Sequence, residues 1–385
     1  MARFGDGLAT GADLAAAADE AVSAALAPLG GRVPDLVCAF VSGDDPDRTA
    51  QALEQVAQRA GAAAVVGCSA GGVLAGARGV EAASAVAVWA AVLPGARVRT
   101  FHLEVMTGGA QAAVLGLPPP GDDADEVCVL LADPWSFPAD GFASRANDAL
   151  PGLPLVGGLA GGGRAAGSTR LLVDGRVVDR GAVGVLLSGT GATAVVSQGC
   201  RPVGPAMTVT DAAGNVVRGL AGMRALDKLE QVLTSLPPQD QALASSGLQI
   251  GLARDEYAEE EDWLVRGVLG LERETGGIVV GDVVPVGRTL RLQVRDAEAA
   301  DASLRASLAR YRGNVRDAPA GGALLFSCNG RGASLFGTAD HDPALVREQL
   351  AVQGLAGFFA GGELGPVAGT NHLHGYTASL LAFPG

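Results

Sequence analysis

The sequence predicts an α/β protein of layered mixed β-sheets with outer helices. We expect two pseudo-related halves built on a recurring unit: strand, helix, strand, glycine loop, strand. Two observations predict it. Short apolar runs that end in glycine or Asp alternate with stretches of helical periodicity, and the same order of elements occurs three times. With 57 glycines and only 4% aromatic residues, the backbone must also pack closely against other backbone.

The first copy of the unit begins with a predicted buried strand, LVCAFVSG (residues 36–43). Asp45-Pro46 predicts the start of a helix, because Asp is a good N-cap acceptor and proline suits the first helical position. A second strand leads into the motif GCSAGG (residues 67–72), and SAVAVWAAV (residues 84–92) closes the unit.

The other two copies repeat this order. The second contains EVCVLLADP (residues 126–134), a helix and the motif GGLAGG (residues 157–162). The third contains ALLFSCNG (residues 323–330), a helix from Asp342-Pro343, the motif GFFAGG (residues 357–362) and a closing strand HGYTASLLAF. All three motifs fit G-x-x-A-G-G. We interpret them as loops that let the backbone approach either a ligand or the backbone of a neighbouring copy.

A different pattern lies between the second and third copies. Residues 193–219 predict two strands with a hairpin at Ala213-Gly214-Asn215. Leu220 to Leu236 is predicted as an amphipathic helix, and Ala297 to Tyr311 as another. Further strands are predicted at residues 248–254, 262–272, 277–282 and 287–296.

Charge and cysteine usage exclude several functions. The net charge of -13 argues against nucleic acid and anionic membranes as partners. The acidic run at residues 255–262 is interpreted as a solvated segment rather than a cation site. Five scattered cysteines without a CxxC pair predict neither zinc nor disulfides, and no cofactor is expected. Without a signal-peptide pattern or a long apolar run, we expect a cytoplasmic protein.

Several runs resemble FIST domains (F-box and intracellular signal transduction). They are FSCNGRGASLFG, GFFAGGELGPV and LHGYTASLLAF near the C-terminus, SQGCRPVGP, DWLVRGVLG and VGRTLRLQVRDA in the middle, and GCSAGGVLAG and LPLVGGLAGGG earlier. The resemblance implies a helical lead-in at residues 1–33, a FIST N-terminal domain at 34–215 and a FIST C-terminal domain at 216–385. It also implies a sensory module that binds a small polar metabolite, with amino acids suggested, and that signals through a separate protein.

Seven residues are candidates for ligand binding. Arg331 suits either a bidentate pair with a ligand carboxylate or a salt bridge to Glu363. Glu363 in turn suits a ligand amine or Arg331. His374 and Tyr376 are two apart on a predicted strand and so face one side, although a structural role is the default for such a histidine. The remaining candidates are Cys328, Asn329, which either caps a turn or contacts the ligand, and Arg201 as a second anion contact.

Two other classes of function stay open. A thiol-dependent hydrolase or acyltransferase would use Cys328 as nucleophile with His374 and Glu363, and Cys68 also resembles a nucleophile on a tight turn. Against this class, cysteine is usually buried and inert. A pure interaction scaffold is the second alternative, and GGLAGGG lacks the setting of a dinucleotide-binding loop.

Overall fold

The computed structural model describes residues 1–108, 111–119, 126–163, 165–253, 263–315 and 319–385. The acidic run at residues 255–262 therefore lies outside the described residues. The chain forms two compact units. The first comprises Met1–Ser197, Arg305–Leu373 and Thr377–Gly385, and the second comprises Gln198–Leu304 and His374–Tyr376.

The first unit contains the three copies, each with one or two additional strands before the recurring unit. The first copy comprises β1 (Arg3–Thr10), α1 (Leu14–Leu26), β2 (Leu36–Ser42), α2 (Pro46–Ala60), β3 (Ala64–Ala70), β4 (Gly72–Ala75), β5 (Arg78–Glu81) and β6 (Ala85–Val92). The second comprises β7 (Arg97–Gly108), β8 (Gln111–Leu115), β9 (Val127–Ala132), α3 (Ala139–Ala149), β10 (Leu155–Leu159), β11 (Leu171–Val173), β12 (Arg176–Val178) and β13 (Ala182–Ser188). The predicted helical lead-in thus omitted strand β1.

The third copy begins with one strand and continues after a long insertion. Its first strand is β14 (Thr193–Gln198). The insertion comprises β15 (Cys200–Ala213), β16 (Val216–Leu220), β17 (Met223–Arg224), α4 (Ala225–Ser235), α5 (Pro238–Ser246), β18 (Leu248–Leu252), β19 (Leu264–Glu272), β20 (Gly277–Val280), β21 (Thr289–Arg295) and α6 (Ala297–Asn314). The copy resumes as β22 (Ala320–Cys328), α7 (Ala333–Phe336), α8 (His341–Leu350), β23 (Gly354–Ala360), β24 (Glu363–Val367), β25 (Thr370–His374) and β26 (Thr377–Pro384).

The predicted mixed α/β class and the recurring unit are confirmed by the strand order of three sheets. The orders are β1-β6-β2-β3-β11-β12, then β8-β7-β13-β9-β10-β24-β25, then β14-β26-β22-β23-β4-β5. Within each copy the first and second strands pair in parallel, and the closing strand pairs antiparallel with the first. The hairpin that follows each glycine motif joins the sheet of another copy, so the three copies exchange hairpins in a cycle.

A single apolar core contains residues from all three sheets. On β2, Leu36, Cys38 and Phe40 belong to this core, whereas the alternating Val37 and Val41 pack with residues of α1 and α2. Both faces of the strand are therefore buried, which is why it reads as a continuous apolar run. The Phe40 ring lies 5.2 Å from that of Phe358 and 6.3 Å from that of Phe326, centroid to centroid.

The glycine motifs are mostly strand rather than loop, which corrects the sequence interpretation. Their first glycines, Gly67, Gly157 and Gly357, lie inside β3, β10 and β23. A Cβ at these positions would overlap the carbonyl oxygens of Ala39, Leu130 and Leu325 in the neighbouring strands. The residue type is therefore required by backbone packing.

The paired glycines that end each motif contact the backbone of another copy. Gly161 N–H donates to the Ser69 carbonyl (3.2 Å), and Gly361 N–H donates to the Leu159 carbonyl (3.1 Å). The Leu159 N–H donates to the carbonyl of Gly362 (2.8 Å). Of the two interpretations of these glycines, the contacts support close approach between copies.

The second unit is one seven-stranded sheet in the order β15-β21-β18-β19-β20-β16-β17, with helices α4 and α5. The predicted hairpin between β15 and β16 is present. The predicted helix from Leu220 to Leu236 is too long: Leu220 ends β16, and α4 begins at Ala225. Proline suits a first helical turn, so Pro238 begins a separate helix that the sequence analysis missed.

Candidate functional site

The candidate site lies in the third copy, where β22 ends and β24 and β26 begin. Cys328 is the last residue of β22, Glu363 is the first of β24 and Thr377 is the first of β26. Parallel pairing of β22 with β23 sets Cys328 beside Ala360, directly before the paired glycines. This strand end therefore positions the polar side chains.

The three copies make a comparison possible within one chain. Each has a residue at the end of its first strand, one after its glycine motif and one at the start of its closing strand. In the third copy these residues are Cys328, Glu363 and Thr377. The equivalent residues are Ser42, Val73 and Ala85 in the first copy, and Ala132, Gly163 and Ala182 in the second. A buried polar cluster has thus replaced mostly small or apolar residues in one copy, although the fold forms without it in the other two.

Arg331 is fully buried and forms a bidentate ion pair with Asp342. Its Nε lies 2.7 Å from Asp342 Oδ2, and its Nη2 lies 3.0 Å from Asp342 Oδ1. Of the two interpretations of Arg331, the salt bridge to Glu363 is wrong, because Asp342 takes this place. Arg331 Nη1 has no hydrogen-bond partner within the described part of the chain. One donor group of a buried cation thus remains available.

Asp342 was missed as a site residue because Asp342-Pro343 was interpreted as a helix start. Helix α8 begins one residue earlier, at His341, so the Asp342 side chain is free to pair with Arg331. It also accepts from Ser327 Oγ (2.6 Å) and contacts His341 Nδ1 (2.9 Å). Burial alone would raise the pKa of Asp342, but the Arg331 charge and these hydrogen bonds hold it well below its usual range. Ser327, a polar residue within the apolar strand β22, was the sequence signal that could have indicated the buried Arg331–Asp342 pair.

Glu363 is also fully buried and is only partly satisfied. Its Oε2 accepts hydrogen bonds from the Thr377 N–H (3.1 Å) and Oγ1 (2.7 Å). Its Oε1 has no hydrogen-bond partner among the described residues. Burial raises the pKa of Glu363 to about 8, and hydrogen bonds from Thr377 and Cys328 and the charge of Arg331 lower it only in part.

The Cys328 thiol lies within the same cluster. Gly330 N–H approaches Cys328 Sγ at 3.4 Å, and Cys328 Sγ lies 3.7 Å from Asn329 Oδ1. Asn329 itself is exposed. The thiol thus lies beside a backbone donor, the Arg331 cation and the Glu363 carboxyl group.

The other candidates lie elsewhere or in another role. Arg201, in the second unit, is already paired through Nη2 with Asp240 (2.7 Å) and through Nε with Asp296 (3.0 Å). Cys68 lies inside β3 and is fully buried, and burial raises the pKa of its thiol well above the ordinary value. The buried environment of Cys68 does not suit a nucleophile.

The predicted shared strand face of His374 and Tyr376 is wrong. Strand β25 ends at His374, and Tyr376 adopts a left-handed backbone with φ +63° before β26 begins. His374 is buried, and Arg295 lies over the Tyr376 ring, with its Cζ 4.6 Å from the ring centroid. A turn therefore replaces the predicted continuous strand.

The fold and the cluster define a class: a three-copy α/β body that carries one buried, incompletely paired polar cluster. Comparison with known families matches the FIST N domain over residues 35–223 and the FIST C domain over residues 225–366. The chain therefore belongs to the FIST family. FIST domains are in general sensory domains that bind small ligands in signalling proteins.

The chain is also similar throughout its length to several mycobacterial proteins. It is 43% identical over 384 residues to an uncharacterized protein of Mycobacterium tuberculosis (strain ATCC 25618 / H37Rv), covering 99% of both chains. It is 42% identical over 384 residues to an uncharacterized protein of Mycobacterium bovis, covering 99% of this chain and 98% of the other.

Within the ranges that the structure describes, no helix is long and apolar enough to cross a membrane. In the same ranges, no three His, Cys, Asp or Glu side chains are grouped so that they could hold a metal ion.

Proposed function

We propose that this protein is a cytoplasmic sensor that binds an amino acid or a related metabolite at Cys328, Arg331 and Glu363. Binding would be transmitted to a separate signalling protein. The observation that supports this proposal is the pair of unsatisfied buried groups, Arg331 Nη1 and Glu363 Oε1. A buried polar atom without a hydrogen-bond partner is destabilising, so the presence of two such atoms favours a role in binding.

The two groups are complementary to the two charges of an amino acid. A ligand carboxylate would accept from Arg331 Nη1 while Asp342 continues to hold the other edge of the guanidinium. A ligand ammonium would pair with Glu363 Oε1 and favour the ionised carboxylate. Thr377 holds the second carboxylate oxygen and so orients the group.

A thermal-shift screen of amino acids and related metabolites tests the proposal. A ligand at 100 times its dissociation constant stabilises the folded state by about 2.7 kcal/mol. We expect the shift to be lost in Glu363→Gln and in Arg331→Lys, which retains a cation for Asp342. Arg201→Lys is the matched control, because that guanidinium is already paired with two carboxylates. No shift with any compound, or a shift retained in both site variants, would refute it.

A thiol-dependent hydrolase or acyltransferase remains the second candidate, with Cys328 as nucleophile and Glu363 assisting. The placement of Cys328 Sγ beside the Gly330 N–H and the Arg331 charge favours it. Incubation with p-nitrophenyl acetate followed by intact-protein mass spectrometry tests this candidate. Acetylation lost in Cys328→Ser but retained in Cys68→Ser would support it, and no acetylation at Cys328 would contradict it.

A further inference from the structure

The polar cluster of the third copy is closed to solvent. Arg331 and Glu363 are each 0% exposed, and Cys328 beside them is 5% exposed. A small molecule therefore reaches these side chains only after part of the protein moves. The chain directly after Arg331, residues 332–340, connects this cluster to α8 and contains α7. We call it the α7 segment.

The α7 segment has little packing of its own. As the structure describes it, α7 contains no buried residue, and Gly332 is buried while the rest of the segment is exposed or half-buried. In the first copy, residues 43–45 suffice to join β2 to α2, so the recurring unit does not require such a segment. Segments with few buried apolar contacts open locally at a low cost in free energy. The α7 segment is therefore the part of the third copy best suited to move.

Phe336 covers the Arg331 side chain. The guanidinium carbon of Arg331 lies 5.4 Å from the centroid of the Phe336 ring, a cation–π contact. The same ring stacks on that of His341, with the centroids 3.5 Å apart and the planes 8° from parallel. Because Phe336 is half-buried and Arg331 is fully buried, the ring separates the guanidinium from solvent.

A hairpin from the first copy holds the α7 segment at both ends. Glu81 on β5 accepts a hydrogen bond through Oε2 from the Ala333 N–H (2.7 Å), and the Gly79 N–H donates to Asp340 Oδ1 (2.8 Å). Hydrogen bonds to carboxylates are stronger than those between neutral groups. A Cβ at Gly332 would overlap the Glu81 carboxylate, so glycine is the residue that lets Glu81 reach the backbone.

We propose that the α7 segment is a lid over the Arg331 cluster and that Glu81 of the first copy holds this lid closed. The ligand enters and leaves when the bond from the Ala333 N–H to Glu81 breaks and Phe336 moves away from Arg331. The inference rests on the function proposed above, since the lid serves that binding site. Glu81 acts through the backbone of the α7 segment and is a positioning residue.

The reaction of the full chain with 5,5'-dithiobis(2-nitrobenzoic acid), without any ligand, tests the lid. Mass spectrometry assigns the reaction rate to each cysteine. We expect Glu81→Ala to raise the rate at Cys328 about tenfold, because a hydrogen bond to a charged group is lost. Gly332→Ala should act in the same direction by displacing the Glu81 carboxylate. Glu81→Gln keeps a carbonyl acceptor for the Ala333 N–H and should stay close to the native rate.

Two controls separate lid opening from general destabilisation. Glu54→Ala removes an exposed glutamate on α2 and should leave the Cys328 rate unchanged. Cys38 is buried in the same compact unit, so its rate reports unfolding of that unit and should stay low in every variant. An unchanged Cys328 rate in both Glu81→Ala and Gly332→Ala would overturn the proposal, as would a parallel rise at Cys38.

This readout depends on Cys328 and not on a ligand, so it can fail separately from the thermal-shift screen. Faster labelling of Cys328 in a protein that binds no metabolite would support the lid and refute the sensor. Native labelling rates in the lid variants of a protein that does bind a metabolite would overturn the lid and leave the sensor supported.

Discussion

Replacing Glu363 with glutamine is expected to change how the stability of the protein depends on pH. The side chain is fully buried, and its pKa is about 8 in the folded protein against an ordinary 4.5. As pH rises between these values, the unfolded chain loses this proton first, so the folded state becomes less stable. At pH 7 the loss relative to acid solution is about 3 kcal/mol. Glutamine cannot ionise, so the variant lacks this contribution.

Urea unfolding of both proteins at several pH values between 5 and 8 measures the effect. We expect the free energy of unfolding of Glu363→Gln to rise relative to the native protein by about 3 kcal/mol over this range. Glu126→Gln is the matched control. Burial alone raises the pKa of Glu126, but hydrogen bonds from Thr190 and Gly191 lower it overall, so its contribution changes only in more acid solution. Parallel stability curves for the native protein and Glu363→Gln would refute the reasoning.

Three further predictions follow from the packing. Arg331→Met should destabilise the protein by about 3–5 kcal/mol in urea unfolding, because it leaves Asp342 buried and unpaired; an effect below about 1 kcal/mol would contradict the buried pair. Gly357→Ala should lower the free energy of unfolding by about 2 kcal/mol or more, because the added Cβ would overlap the Leu325 carbonyl. Gly361→Ala is the control, since its added Cβ has ordinary contacts and should change stability little. Equal effects of the two substitutions would contradict the strand assignment of Gly357. When the native protein is alkylated and the labelled cysteines are identified by mass spectrometry, the partly exposed Cys200 should react before the buried Cys38 and Cys68. Burial raises the pKa of the Cys38 and Cys68 thiols, so they react slowly. Early labelling of Cys68 would contradict this prediction.

The individual elements were largely predictable because their signals are local. Buried strands such as β2 read as continuous apolar runs, and Asp45-Pro46 correctly marked the start of α2. The repeat of these elements indicated three copies. Boundaries failed where a local pattern fitted two structures: Leu220 ends a strand rather than beginning a helix, and Tyr376 interrupts a strand by taking a left-handed backbone.

The site was predictable in part for the same reason. Arg331 and Glu363 stood out as charges at the ends of apolar strands, and both are buried as required. Their partners could not be assigned from the sequence. Asp342, the partner of Arg331, was explained as a helix start, and Thr377, the partner of Glu363, lies 14 residues away on another strand. Contacts between side chains depend on which strand ends meet.

By itself the sequence determined the unit, its three copies, the family and the candidate polar residues, since all of these depend on local periodicity and motif. Only the tertiary structure decided that each copy gives its hairpin to another copy, that the motif glycines pack against backbone, and that Arg331 pairs with Asp342. Strand pairing between copies is set by burial of a common core, and that burial involves residues more than 200 positions apart, as in the contact of Phe40 with Phe358. No local pattern encodes such a choice.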